Sequence, residues 1–317
     1  FGEGRKHRKG CFNRMQRIKD KRGRNAVVLP IAVMMLWGSL FPFIKIGYKA
    51  FEINTESIPD VLMFASLRFV VCGIIVCLIA YFMKAKIETP KARSILSICL
   101  MGIFSIVLHY GFTYVGLTKT DSSKTAILKQ IAPLLFACFS FVFVKDEKFS
   151  PVKILGAAVG FGGIVSINAG TELRGFSSGD TDIVLASVCT VISMIISGKI
   201  VKSTSAFWVT GISQLFGGLI LLIISSVFGG NVHFINMKAV LVFAYICVAS
   251  IIGYTLFYYV QRTAELSRLF IIKFAEPLFA CMFGALLLGE NIMKIQYLIS
   301  IILISTGIFL GNAAKNT

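Results

Sequence analysis

Long apolar stretches separated by short polar loops make up almost the whole chain. Ten of these stretches approach the roughly 20 residues that an α-helix needs to cross about 30 Å of hydrocarbon. They lie at about residues 27–48, 59–82, 94–117, 122–144, 152–168, 182–201, 206–228, 238–260, 266–289 and 294–312. Because the stretches are continuously apolar rather than alternating, they predict ten membrane-spanning helices and exclude the strands of a β-barrel.

The composition agrees with an all-α integral membrane protein. Of the 317 residues 56% are hydrophobic and only 15% are charged, which excludes an ordinary soluble domain. The formal net charge of +17 would suggest nucleic acid as a partner, but ten of the 32 Lys and Arg residues fall within residues 1–25. The remainder form no basic, aromatic surface, so we expect a lipid bilayer around the protein and no nucleic-acid partner.

The distribution of loop charge predicts the orientation of the chain. Lys and Arg are retained on the cytoplasmic side of a membrane, and the loops and ends on the side of the termini carry 22 of them against six on the opposite side. We therefore expect both termini in the cytoplasm, with residues 1–25 as a basic cytoplasmic arm and the plasma membrane of a bacterium as the location. Because Met15 is the first methionine, the segment before it is interpreted as vector-derived sequence or upstream translation.

The two halves of the chain resemble each other at an offset of 144 residues. The polar pairs at this offset are Tyr110 with Tyr254, Tyr114 with Tyr258, Ser123 with Ser267, Lys129 with Lys273, Pro133 with Pro277 and Asn168 with Asn312. These pairs predict one repeat over residues 27–168 and a second over 182–312. Each repeat holds five spans, an odd number, so the two copies must be inverted relative to each other, as in many secondary transporters.

Several short motifs point to one family. They are Trp37-Gly38-Ser39, Leu67-Arg68-Phe69, the Pro133 helix followed by Asp146-Glu147, and Glu276-Pro277 followed by Leu288-Gly289-Glu290. Together they resemble the EamA-type branch of the drug/metabolite transporter superfamily. The resemblance implies ten helices in two inverted five-helix repeats and a central cavity walled mainly by the first, third, fourth, sixth, eighth and ninth spans.

Four ionisable residues inside the spans are candidates for substrate binding. Charged groups in a membrane are costly and usually face protein or water. Arg68 lies ten residues into its span, where the alternative is hydrogen bonding to carbonyls between the repeats. Lys129 and Lys273 each precede a proline by four residues, so each kinked helix is predicted to offer an ammonium beside a freed carbonyl. The alternative is that neighbouring groups satisfy both lysines.

Glu276 is the acid expected deep inside a span, three residues after Lys273 on the same helix face. It could be the structural partner of Lys273 or the proton-coupling site. One carboxylate does not balance Arg68, Lys129 and Lys273, which favours either an anionic substrate or an uncharged lysine.

Aromatic residues complete the candidate site. The pairs Tyr110 with Tyr114 and Tyr254 with Tyr258 each form one helical stripe, and Trp37 begins the first motif. They could wall a cavity for amphipathic solutes or lie at the membrane interface. The repeats Gly156-x-x-x-Gly160 and Gly307-x-x-x-Gly311 indicate close helix packing, with a homodimer as the second interpretation.

Absent motifs narrow the function. The sequence has no nucleotide-binding P-loop, no protease, lipase or metal-binding motif and no channel filter, so no catalytic residue, metal or cofactor is expected. We expect a secondary-active transporter that exports a small amino-acid-like or carboxylate-bearing metabolite by alternating access. The alternatives are a membrane-embedded solute binder or sensor without transport, and then a membrane enzyme.

Overall fold

The structure, a computed structural model, describes residues 3–83, 89–117, 119, 125, 128–144, 147–167, 177–233, 236–289 and 295–313, with backbone alone for 3–26, 117 and 167. Within these ranges all regular structure is helical and no strand occurs, which confirms the all-α prediction. Several motif and repeat residues lie outside the described residues: Ser123, Asp146, Asn168 and Glu290.

The first half of the chain forms helices α1 to α5. Their bounds are Glu3–Ala50 for α1, Ile58–Phe82 for α2, Ala92–Gly102 with the π-helical Ile103–Leu108 and His109–Leu117 for α3, Ile131–Phe143 for α4, and Pro151–Ile167 for α5. Ser57 starts α2 because its hydroxyl accepts a hydrogen bond from the Asp60 amide, which would otherwise lack a partner.

The second half forms α6 to α10. Their bounds are Ser178–Ile200 for α6, Ala206–Val227 for α7, Met237–Val260 for α8, Leu266–Ile272 with Ala275–Leu288 for α9, and Ile295–Ala313 for α10. Ser177 and Asp180 form a reciprocal cap at the start of α6. Gly289 ends α9 in the left-handed conformation, with φ of 67°, which glycine adopts without strain.

Eight of the described helices are long and apolar enough to cross a membrane, and α4 and α5 are shorter apolar helices. The chain is therefore a multi-pass membrane protein, while the count of ten spans stays a prediction. Within the fourth predicted span, 122–144, Lys129 and Gln130 form a turn before α4, at the kink that Pro133 predicts. Pro133 removes one helical hydrogen bond there and crowds the preceding turn.

Two pairs of helices meet across the halves. In α2, a β-carbon at Gly73 would lie 2.4 Å from the backbone nitrogen of Leu215 in α7. In α5, a β-carbon at Gly156 would lie 2.6 Å from the backbone nitrogen of Gly311 in α10. The Gly-x-x-x-Gly prediction of close packing is thus confirmed within one chain, and a homodimer stays a prediction.

Helix α1 lies antiparallel to α8 and packs on α9. Near its middle, a β-carbon at Gly38 would lie 2.5 Å from Cβ of Phe279 in α9, so only glycine allows this approach. Towards its end, the ring of Phe51 lies 5.9 Å from that of Phe243 in α8. The first and second halves are therefore interleaved at the centre of the bundle.

Polar bonds tie the halves together where α8 ends and α9 begins. Glu147 Oε1 accepts a hydrogen bond from the Ser267 amide in the first turn of α9, at 3.1 Å. Lys153 Nζ lies 2.5 Å from Glu265 Oε2, which also accepts from Arg268 Nε at 3.0 Å. We call Glu147, Lys153, Glu265, Ser267 and Arg268 the inter-half latch. The latch holds the start of α5 against the start of α9.

Candidate functional site

Two backbone breaks place the candidate lysines. Lys129 and Gln130 form the turn before α4, and Lys273 and Phe274 form a turn that divides α9. Each turn lies just before a proline, as the sequence predicts. The breaks allow both lysine side chains to leave the regular helical direction near the middle of the bundle.

The prediction of unpaired carbonyls at these breaks is wrong. The Lys129 carbonyl accepts a 2.7 Å hydrogen bond from Ser187 Oγ in α6, and that hydroxyl accepts from the Ala132 amide at 3.2 Å. The Lys273 carbonyl accepts from the Glu276 amide at 3.0 Å. The freed carbonyls are satisfied by a neighbouring helix in one case and by a tighter turn in the other, because buried carbonyls seldom stay unpaired.

Lys273 and Glu276 form the intrahelical ion pair that their spacing predicts. Lys273 Nζ lies 2.8 Å from Glu276 Oε2, and each side chain keeps 16% of its surface accessible. The ammonium also lies 5.0 Å from the centroid of the Trp37 ring, an arrangement that favours a cation. The pair is therefore placed at a partly open surface inside the bundle.

Lys129 lies close to this pair without joining it. It is half-buried and within electrostatic range of both Glu276 and Lys273. Among the described residues no carboxylate forms an ion pair with its ammonium. We call Trp37, Lys129, Lys273 and Glu276 the lysine cluster.

Trp37 is positioned by small residues in the helices beside it. Its ring lies 5.2 Å from Tyr254 and 5.1 Å from Phe257, both in α8. A β-carbon at Gly253 would lie 2.6 Å from Trp37 Nε1, so α8 presents a gap into which the indole fits. The indole nitrogen is buried without a hydrogen-bond partner among the described residues.

Arg68 occupies a separate aromatic environment. Its side chain is only 3% exposed, and Nη2 donates a 3.1 Å hydrogen bond to the Tyr110 hydroxyl. The guanidinium carbon lies 4.3 Å from the centroid of the Phe69 ring. Tyr114 and Tyr254 are also within electrostatic range of it. We call Arg68, Phe69, Tyr110, Tyr114 and Tyr254 the arginine cluster.

The two clusters are joined by aromatic contacts. Tyr254 lies against Trp37 on one side and against Phe69 on the other, with centroids 6.5 Å from Phe69. Tyr110 and Tyr114 form one stripe with centroids 6.1 Å apart, and the Tyr114 hydroxyl lies 3.1 Å from that of Tyr48. The interior-wall interpretation of these tyrosines therefore fits their positions better than an interfacial belt.

One predicted site residue lies elsewhere. Tyr258 is 5% exposed and is packed in the apolar core beside Phe257. Its spacing from Tyr254 places the two rings on one stripe, 6.2 Å apart, and Tyr254 is the one member of the arginine cluster that Tyr258 meets in a described ring contact. The structure thus separates the two tyrosines of this stripe by environment.

His109, which its place in the sequence favours as a packing residue rather than a functional one, lies beside the candidate site. Its ring stands edge-on to Tyr110, with centroids 5.1 Å apart, and Nδ1 lies 2.9 Å from Thr190 Oγ1. Lys129 and Lys273 are within electrostatic range. A polar residue inside a span beside Tyr110 was the available signal. His109 therefore connects α3 to α6 at the level of both clusters.

The charge inside the described bundle is unbalanced. Lys129 and Lys273 lie within electrostatic range of one acid, Glu276, which is already paired with Lys273, and no described carboxylate is paired with Arg68. Among the described residues no group of three His, Cys, Asp or Glu side chains could hold a metal ion. The arrangement is suited to bind an anionic group between aromatic walls.

Comparisons with known proteins cover nearly the whole chain. The model of the EamA-like transporter family matches residues 24–169 and again residues 177–312. A crystal structure of a protein with 16% sequence identity superposes with a TM-score of 0.72, over 90% of this chain and 95% of that one. This likeness shows a shared fold.

The relatives come from a bacterium, an archaeon and a plant, and the first two carry transporter names. "Uncharacterized inner membrane transporter YedA" of Escherichia coli strain K12 is 27% identical over 271 residues, 84% of each chain. An "Uncharacterized transporter" of Archaeoglobus fulgidus is 24% identical, over 81% of this chain and 87% of that one. A chloroplastic WAT1-related protein of Arabidopsis thaliana is 24% identical, over 73% of this chain and 58% of that protein.

Proposed function

The chain belongs to the EamA-like transporter family, and on that premise we propose that it is a secondary-active carrier. It exports a small organic metabolite that is amino-acid-like or carboxylate-bearing, and it works by alternating access. The carrier lies in the inner membrane of a bacterium, which is the location given in the name of the Escherichia coli relative. Family membership supports the transport step, and the substrate class rests on the site.

The excess of positive charge in the two clusters is the observation that supports an anionic substrate. Arg68 is almost fully buried and Lys129 has no ion-pair partner among the described residues, while Glu276 is engaged by Lys273. A buried charge without a partner is costly. An anionic group on the solute offsets that cost. The site is therefore expected to bind anions in preference to cations.

The packing of the helices supports alternating access. Helices α2 and α7 pair with each other, as do α5 and α10, while α1 meets α8 in the way that α3 meets α6. A two-fold relation between inverted five-helix repeats, exchanging α1 with α6 and α3 with α8, produces this pattern. The inter-half latch joins the two halves at one end of the bundle, and alternating access would require it to release when the site opens on that side.

We expect both termini, and therefore the latch, on the cytoplasmic side. Reporter fusions after Thr317 and in the 84–93 loop should report the cytoplasm, and fusions near 172–180 should report the outside, because Lys and Arg are concentrated on the first side. Paired alkaline phosphatase and fluorescent-protein fusions at each site measure this. A reversal at any of the three sites would contradict the inverted arrangement.

Transport itself is tested with purified protein in vesicles. A thermal-shift screen against amino acids, organic acids and nucleosides identifies a ligand that stabilises the folded state, and the labelled ligand is then loaded into proteoliposomes. We expect its release to accelerate when unlabelled ligand is present outside, since exchange requires one site with alternating access. Saturable binding without release would instead assign the protein to the non-transporting binders or sensors.

A further inference from the structure

Arg68 is a buried cation whose hydrogen-bonding capacity is largely unused. Its side chain is 3% exposed, one donor reaches the Tyr110 hydroxyl at 3.1 Å, and Nε is buried without a partner. A guanidinium has five N–H donors in a fixed fork that matches a carboxylate. The described contacts therefore do not explain why α2 carries an arginine here.

Among the residues that the structure describes, no carboxylate forms an ion pair with Arg68. The groups that act on it electrostatically are Tyr110, Tyr254, Tyr114 and Cys72, none of which is a carboxylate. The Phe69 ring, 4.3 Å away, stabilises the cation only in part. A buried guanidinium among aromatic rings is a site that an incoming anion completes, because the anion supplies the missing charge and accepts the free donors.

The same surroundings provide no described acid as a partner for a positive charge on the solute. No described acid in the arginine cluster would accept an ammonium, and Glu276 of the lysine cluster is 2.8 Å from Lys273. The ring next to Arg68 is the fully buried Phe69, and the rings of Tyr254 and Trp37 continue from it towards the lysine cluster. Those rings are suited to the apolar body of a solute rather than to a zwitterion.

We propose that Arg68 is the carboxylate-binding residue of the carrier, and that its solute is a monocarboxylate with an apolar, ring-sized body and no ammonium beside the carboxylate. This inference rests on the proposed function and narrows it, because it excludes free amino acids. Tyr110 acts as a positioning residue: its hydroxyl accepts from Nη2 and holds the guanidinium so that the remaining donors face the solute.

Three matched probes test the proposal by binding. They are 3-phenylpropionate, its neutral amide 3-phenylpropionamide, and phenylalanine, which adds an ammonium to the first. The full chain in lipid nanodiscs carries two tryptophans, so Trp208→Phe leaves Trp37 as the fluorescent reporter beside the site. We expect the acid to bind at least about tenfold more tightly than the amide or phenylalanine, the size of one charged hydrogen bond.

Variants then assign the carboxylate to Arg68. Arg68→Gln places in α2 the same side chain that α7 carries at Gln214. In this variant the acid and the amide should bind with about equal affinity. Arg68→Lys should keep part of that preference, because the charge remains. Tyr110→Phe should weaken acid binding several-fold without changing amide binding. Lys238→Met, which removes an exposed cation at the start of α8, should leave all three affinities unchanged.

Several outcomes would overturn the proposal. They are no acid binding by folded wild type, phenylalanine binding as tightly as the acid, or an unchanged acid preference in Arg68→Gln. Equal weakening of acid and amide would make Arg68 structural. If Arg68→Gln does not fold, the ratio of acid affinity to amide affinity in Arg68→Lys and Tyr110→Phe tests the proposal instead. If binding depends on Arg68 but no flux occurs, the proposed carrier function is refuted. If an amino acid is transported and Arg68→Gln leaves that transport undiminished, only this inference is refuted.

Discussion

Replacing Lys129 by methionine is expected to reduce solute flux about tenfold to a hundredfold without destabilising the protein. The ammonium is half-buried and has no described ion-pair partner, so its removal eliminates an unpaired charge and leaves the unfolding temperature unchanged or higher. The loss of flux is the expected effect of losing one hydrogen bond from the Lys129 ammonium to the solute, because a hydrogen bond that involves a charged group contributes roughly 1.5–3 kcal/mol. Initial release rates in proteoliposomes, per folded molecule, measure the effect.

Lys273→Met provides the comparison for this result. It should also reduce flux, but it leaves Glu276 without its 2.8 Å partner and therefore lowers the unfolding temperature. A fully buried unpaired charge costs about 3–5 kcal/mol, and the cost is smaller here because each side chain keeps 16% of its surface accessible. Lys238→Met is the control for the loss of an exposed positive charge. Loss of folded protein with unchanged flux per folded molecule would assign both buried lysines to structure.

Replacing Glu276 by glutamine is expected to distinguish a proton-coupling role of this residue from a structural pairing role. Glutamine keeps the volume and hydrogen-bonding capacity of glutamate but releases no proton. If Glu276 carries the coupling proton, flux driven by a pH gradient falls to the uncoupled background. Exchange with solute on both sides then persists, because it needs no net proton movement. The two modes are measured in the same vesicles, with and without the gradient.

A double variant separates coupling from structural pairing. If Glu276 is only the partner of Lys273, both transport modes should weaken together in Glu276→Gln. Lys273→Met combined with Glu276→Gln should then recover part of the loss, since no unpaired charge remains buried. Undiminished gradient-driven transport in Glu276→Gln would remove Glu276 from any coupling role.

Contacts within one helix were predictable from the sequence. The spacing of three residues between Lys273 and Glu276 predicts their ion pair, and the spacing of four between Tyr110 and Tyr114 predicts their stripe. Both are confirmed. The reason is that the helical period places residues three and four apart on one face, regardless of what packs around that face.

Contacts between helices were predictable only where a residue type, such as proline, limits the local backbone. Pro133 and Pro277 indicate breaks, and the breaks occur, but the acceptor at Lys129 is satisfied by Ser187 of another helix. Nothing in the sequence spacing connects residues 129 and 187. Their contact depends on how α6 is rotated against α4, which the sum of all packing contacts determines.

The sequence by itself determined the membrane class, the family and the identity of the charged residues inside the spans, because hydrocarbon requires long apolar helices and tolerates few charges. The tertiary structure decided how those residues group: Arg68 lies with Tyr110, Lys129 lies near the Lys273 and Glu276 pair, and Tyr258 is packed in the apolar core. These groupings arise from close helix approaches at small residues. The rotation of each helix sets which of its side chains meet, and that rotation is a property of the whole bundle.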